Sequence, residues 1–135
     1  MTNGYLLDAC ALIALLNDET GAQRVEAILT GEAPVYMSAI NALEVAYDAV
    51  RRSQDNNSAA ITLRVVSDAN IRILWSLTET EWLAAARWKA RGRISLADAI
   101  ALAIAETRNL KLVSADHHEL DPLEAEGLIQ VEWLR

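Results

Sequence analysis

Four short runs of this chain, Tyr5-Leu6-Leu7, Val35-Tyr36-Met37, Ile71-Arg72-Ile73-Leu74-Trp75 and Leu110-Lys111-Leu112-Val113, are apolar with little alternation. A strand with one wet face alternates inside and outside residues, whereas a strand covered on both faces reads as a continuous apolar run. Stretches with helical spacing separate the runs, and helical crossovers are what parallel neighbours require. The expectation is therefore an α/β fold: a three-layer α/β/α sandwich around a central, mainly parallel sheet of about five strands. Leu128-Ile129-Gln130-Val131 reads as a weaker last strand.

The helices between these runs carry start and stop signals. Residues 11–16 and 22–29 read as the first two, with Gly31 just beyond the second. Ser38 is a plausible N-cap for a helix in which Ile40, Leu43, Tyr47 and Val50 recur at helical spacing and predict its packed face. A polar tract, residues 51–57, leads to a helix over 58–67. Thr78-Glu79-Thr80-Glu81 has the form of a capping box for a helix that Gly92 closes. Ser95 opens the most apolar helix, with Asp98, Ala101, Leu102 and Ala105 on one face and Asn109 as a left-handed cap.

With 135 residues, 53% of them hydrophobic, the chain suits one domain over 1–135 that buries a core without staples. One cysteine, Cys10, allows no intramolecular disulfide and fits a reducing compartment. The apolar run from Tyr5 to Leu16 is shorter than the roughly 20 residues of a membrane span, and no basic residue precedes it. The reading is a soluble, cytoplasmic protein. A net charge of -7 argues against broad electrostatic binding of nucleic acid, unless bound cations offset a local acidic cluster.

Asp8 is where that cluster begins. It interrupts an apolar strand–helix junction, and a carboxylate in such a place is costly unless something pairs with it. Glu44 falls on or beside the apolar face of its helix, Asp98 lies in the first turn of the most apolar helix, and Asp116 follows a strand end. Each has an ordinary explanation: Asp8 as a helix cap, Glu44 at a helix edge, Asp98 in a capping box, Asp116 as a turn residue. Together they can meet at one end of a parallel sheet, where such folds bind ligands.

These four acids, in this order and setting, resemble the PIN-domain family, including the VapC-type ribonuclease toxins of bacterial toxin–antitoxin systems. Leu7-Asp8 before an apolar helix resembles the first motif and Ser38-x-x-Asn41-x-x-Glu44 the second. Leu96-Ala97-Asp98-Ala99 and Leu112-Val113-Ser114-Ala115-Asp116 resemble the third and fourth. The resemblance implies an endoribonuclease dependent on Mg2+ or Mn2+, with Asp8, Asp98 and Asp116 as ligands and Glu44 as a ligand or as the group that orients the attacking water. It implies RNA as substrate and a small antitoxin as partner, and the apolar helices suggest a homodimer. Two positions depart from the family pattern: Ala9-Cys10 stands where a hydroxyl residue is usual, and His118 where some members carry a further acid.

Asn41 and Ser114 are candidate substrate contacts beside the acids. Arg87, Lys89, Arg91 and Arg93 form a basic concentration that suits phosphate contacts or a solvated helix end. His117 and His118 read as surface residues, and Trp75, Trp82, Trp88 and Trp133 as core or interface aromatics. Two other functions stay open: a catalytically inactive PIN-like binding module, and a Mg2+-binding receiver domain of signalling proteins. A receiver would need a second acid near Asp8 and a lysine after a late strand, and neither Lys89 nor Lys111 is so placed.

Overall fold

The computed structural model describes residues 2–135. Strands β1 (Tyr5–Leu7), β2 (Val35–Ser38), β3 (Ile71–Leu74), β4 (Lys111–Ser114) and β5 (Val131–Trp133) form one sheet. The order is β3-β2-β1-β4-β5, and every neighbouring pair is parallel. The helices are α1 (Ala9–Leu16), α2 (Ala22–Thr30), α3 (Ala39–Ser53), α4 (Ser58–Asp68), α5 (Glu79–Ala90), α6 (Leu96–Arg108) and α7 (His117–Ala125).

The expected three-layer sandwich follows from how consecutive strand residues divide. Leu6 and Leu112 enter a core with α5 and α6, while their neighbours Leu7 and Val113 enter a second core with α1, α2, α3 and α4. Side chains alternate across a strand. Two apolar cores on opposite faces therefore need apolar residues at successive positions, which is why the strands read as runs.

The chain lays β2 and β3 to one side of β1, then crosses to place β4 and β5 on the other. This reversal opens a crevice at the carboxyl ends of β1 and β4. Asp8 directly follows β1, and Asp116 lies two residues beyond β4. The far edge is locked by close packing: Gly21 has φ +99°, and a Cβ there would lie 2.7 Å from Leu134 Cβ. Only glycine suits that contact and conformation.

Three expectations are corrected. The last strand is Val131–Trp133 rather than residues 128–131, because its pairing to β4 sets Val131 opposite Leu112. Helix α7 was not foreseen, since its HHELDPLEA sequence is polar and contains Pro122, a residue that withholds a helical N–H. On α3, the buried positions are Asn41, Ala42 and Val45, whereas Leu43 and Tyr47 are each 63% exposed and Ile40 is also exposed. Helical spacing located an apolar stripe correctly but not its direction: the small side of α3 packs inward, and the large apolar side is outermost.

Candidate metal centre

Local helix chemistry delivers the acids to the crevice. Asp8 is the N-cap of α1, accepting from the Ala11 N–H at 3.0 Å. Asp116 is the N-cap of α7, and its Oδ1 accepts from the Glu119 N–H at 3.4 Å. The capping explanation for Asp8 thus holds alongside its place among the acids. Glu44, expected on a packed face, is exposed, and the buried Asn41 donates to its Oε1 at 2.8 Å. Asn41 is itself held by the Ser38 hydroxyl, which caps α3.

Asp98 shows why a cap signal need not end as a cap. Ser95 accepts from the Asp98 N–H at 3.1 Å, as in a capping box. The reciprocal bond, however, runs from the Ser95 N–H to Glu119 Oε1 at 3.1 Å. A carboxylate from α7 does what Asp98 would otherwise do, and the Asp98 side chain turns to Glu119 and the crevice. Carboxylate oxygens of Asp98, Asp116 and Glu119 all lie within 4.8 Å of one another.

The electrostatics show mutual repulsion without a counter-charge. The Asp8 carboxyl is raised to about 6, first by burial and then by the charges of Asp116 and Glu44, against hydrogen bonds from Ser114 and Ala11 that lower it. Asp98 is also raised well above the carboxylate range, first by burial and then by its hydrogen bond with Glu119 and the charges of Glu119, Asp116 and Asp8. Among the described residues, no Lys, Arg or His forms an ion pair with Asp8, Glu44, Asp98, Asp116 or Glu119. Such a group of hard oxygen donors suits a divalent cation of the Mg2+ or Mn2+ kind.

The remaining candidates separate into supports and free groups. Ser114 is completely buried, so it does not face a substrate. Its hydroxyl bonds the Asp8 carboxylate and accepts from the Asp116 N–H at 2.9 Å, tying two acids together. Asn41, equally enclosed, acts through Glu44. Lys89 closes the loop after α5 by donating to the Ile94 carbonyl at 2.8 Å, and Arg91 pairs with Glu126 at 3.3 Å. Arg87 is exposed on α5, and Arg93 is exposed in the loop after it.

Cys10, in the usual hydroxyl position, has its thiol pushed up to about 12 by burial and by Asp8, Asp116 and Asp98. These acids and burial favour the neutral thiol over the thiolate. His117 is not merely solvated: its ring stacks on Trp133 at 3.9 Å and bonds Asp121 and the Arg135 carbonyl. Trp88 is core, as expected, but Trp75 and Trp82 are exposed.

Sequence reasoning missed Glu119. Its signal was present as Asp116-x-x-Glu119, the i, i+3 spacing of a helix cap and its acid, and it passed unnoticed because α7 did.

The crevice at the strand-order reversal of this α/β fold is thus lined by acids that follow β1 and β4 or stand on α3, α6 and α7. The family model for the PIN domain matches residues 5–121, and this chain belongs to the PIN-domain family. Among solved structures, it is similar to VapBC-1 from nontypeable Haemophilus influenzae, with 20% identity, 96% of this chain and 97% of that one covered, and a TM-score of 0.71. It is also similar to Mycobacterium tuberculosis VapC20, described as a sarcin-ricin loop cleaving toxin, at 17% identity, 96% and 99% coverage and a TM-score of 0.69. A toxin–antitoxin complex from Klebsiella pneumoniae matches at 21% identity, 87% and 90% coverage and a TM-score of 0.69. At these identities the likeness is one of fold. No curated protein matches the chain by sequence.

Proposed function

We propose that this chain is a divalent-metal-dependent endoribonuclease, the toxin of a toxin–antitoxin pair, acting as one PIN-like domain over residues 1–135. The observation that carries the reading is the approach of Asp98, Asp116 and Glu119 to within 4.8 Å beside a buried Asp8, with none of the four in an ion pair among the described residues. Asp8, Asp98 and Asp116 would hold Mg2+ or Mn2+, with Glu119 completing the donor set. When bound, the cation lowers the pKa of a water, polarises the scissile phosphate and offsets charge on the leaving oxygen. Glu44, exposed and steadied by Asn41, orients the attacking water. Ser114 keeps Asp8 and Asp116 in register by bonding both.

Two apolar grooves support protein partners. One, of about 270 Å³ between α3 and α4, is lined by Leu43, Leu63 and Trp75, the last 68% exposed. The other, of about 530 Å³ along α5 and α6, is lined by Leu77, Trp82 and Leu96. Exposed apolar surface in contiguous patches marks interaction sites. A second copy of this chain and a small antitoxin are the partners we assign to them. No helix among the described residues is long and apolar enough to cross a membrane, and with the lone thiol this supports a cytoplasmic setting.

The test is cleavage. Purified protein incubated with structured RNA should cut it in Mg2+ or Mn2+ and leave it whole in chelator. RNA left intact under all three conditions favours the inactive PIN-like binding module instead.

A further inference from the structure

A cavity of about 490 Å³ opens between the loop after α5 and the start of α7, lined among others by Arg91, Arg93, Ile94, His118, Glu119 and Pro122. It adjoins the acids, because Glu119 lines it and also belongs to the group with Asp98 and Asp116. Its charges do not all cancel. Arg91 is paired with Glu126, and Glu119 is engaged by the Ser95 N–H and the other acids. Arg93 is exposed and forms no hydrogen bond or ion pair among the described residues. One guanidinium is thus left over, at the rim of an acidic crevice.

The backbone at Arg93 is left-handed. Its φ is +62°, a left-handed conformation that glycine adopts without strain and arginine does not. Gln54 and Asn109, the C-caps of α3 and α6, share this conformation, so the site is marked by the cavity and the unpaired guanidinium. A guanidinium is a planar fork that matches two oxygens of a phosphate, and His118, also exposed, offers a ring face on which a base can stack.

We infer that the Arg93–His118 cavity binds the phosphodiester group of single-stranded RNA next to the scissile one, making Arg93 a substrate-positioning residue. This rests on the ribonuclease reading, since it takes the strand to run from the acids into the cavity. It also separates Arg93 from Arg91 and Lys89, which are engaged in holding the loop.

The experiment measures equilibrium binding of a fluorescein-labelled single-stranded RNA octamer to the full chain in chelator, over a series of salt concentrations, with cleavage in Mn2+ assayed separately. Arg93→Gln should weaken binding about tenfold and lower the salt slope by about one phosphate contact. Arg93→Lys should restore the slope while recovering only part of the affinity, because charge returns without the fork. His118→Ala should weaken binding about fivefold through lost stacking. Arg64→Gln, on α4 and outside the cavity, should change neither quantity. Unaltered affinity and slope in Arg93→Gln overturn the inference whether or not the wild type cleaves RNA. A wild type that binds through Arg93 yet never cuts RNA overturns the ribonuclease reading alone.

Discussion

Glu81 and Asp8 are both carboxylates buried in the first turn or at the cap of a helix, and the protein treats them in opposite ways. Burial acts to raise the Glu81 pKa, but the Arg108 guanidinium at 2.9 Å and the Thr78 cap outweigh it and hold the carboxyl below its usual range. Asp8 has only neutral donors, Ser114 and the Ala11 N–H, and has other acids for neighbours, so it rises to about 6. Burying a charge is costly unless a partner is supplied. At Glu81 the chain supplies the partner itself, and at Asp8 no ion-pair partner stands among the described residues, which is the opening the proposed cation would fill.

The largest expected effect breaks the second half of that comparison. Asp8→Asn or Asp116→Asn should lower RNA cleavage by about 100-fold or more, the scale of losing several kcal/mol of transition-state stabilisation. Circular dichroism should show the fold intact, since Asn also caps helices. Wild-type rates in either variant would remove that residue from the site.

Next in size is the dependence of stability on pH in chelator. The unfolded Asp8 loses its proton near 3.8, whereas the folded one keeps it to about 6. Over that interval the native state binds more protons, so stability falls as pH rises, by about 3 kcal/mol from Asp8. Asp98, raised in the same direction, adds to the fall. Mg2+ should flatten the decline, and Asp8→Asn should remove its share. Thermal midpoints across pH 4 to 8, with metal and with chelator, read this directly, and curves indifferent to metal would count against a cation site.

The smallest effect concerns the self-contained pair. Glu81→Gln should cost about 2 kcal/mol, the worth of a hydrogen bond to a charged group, discounted because Arg108 is partly exposed. Its pKa is depressed, so its contribution is present above the usual carboxylate range and disappears as pH falls through the lower folded value. Denaturant midpoints of wild type and variant should therefore differ at pH 7 and draw together as pH falls through the folded pKa of Glu81. Cleavage per folded molecule should not change.

Much of the fold was legible because its signals are local. The non-alternating strands announced two covered faces, and Ser38, Thr78 and Ser95 as caps and Asn109 as a left-handed stop all stand where chain-local chemistry put them. What was not legible depended on partners distant in sequence. Asp98 has the spacing of a capping-box acid, and only the arrival of Glu119 from α7 at the Ser95 N–H releases it. Glu44 looked packed and is exposed, because Ile40, Leu43 and Tyr47 on the same side of α3 are themselves exposed.

The sequence by itself determined the strand–helix order, the parallel sheet and the placement of Asp8 and Asp116 at strand ends, since burial on two faces and helix capping leave one-dimensional patterns. Only the tertiary structure decided that Glu119 joins the acids, that Ser114 and Asn41 are buried beneath them, and that Arg93 stands unpaired at the neighbouring cavity. The first of those outcomes turns on groups 24 residues apart, Ser95 and Glu119, coming within hydrogen-bonding reach. Short-range spacing carries no record of such distances.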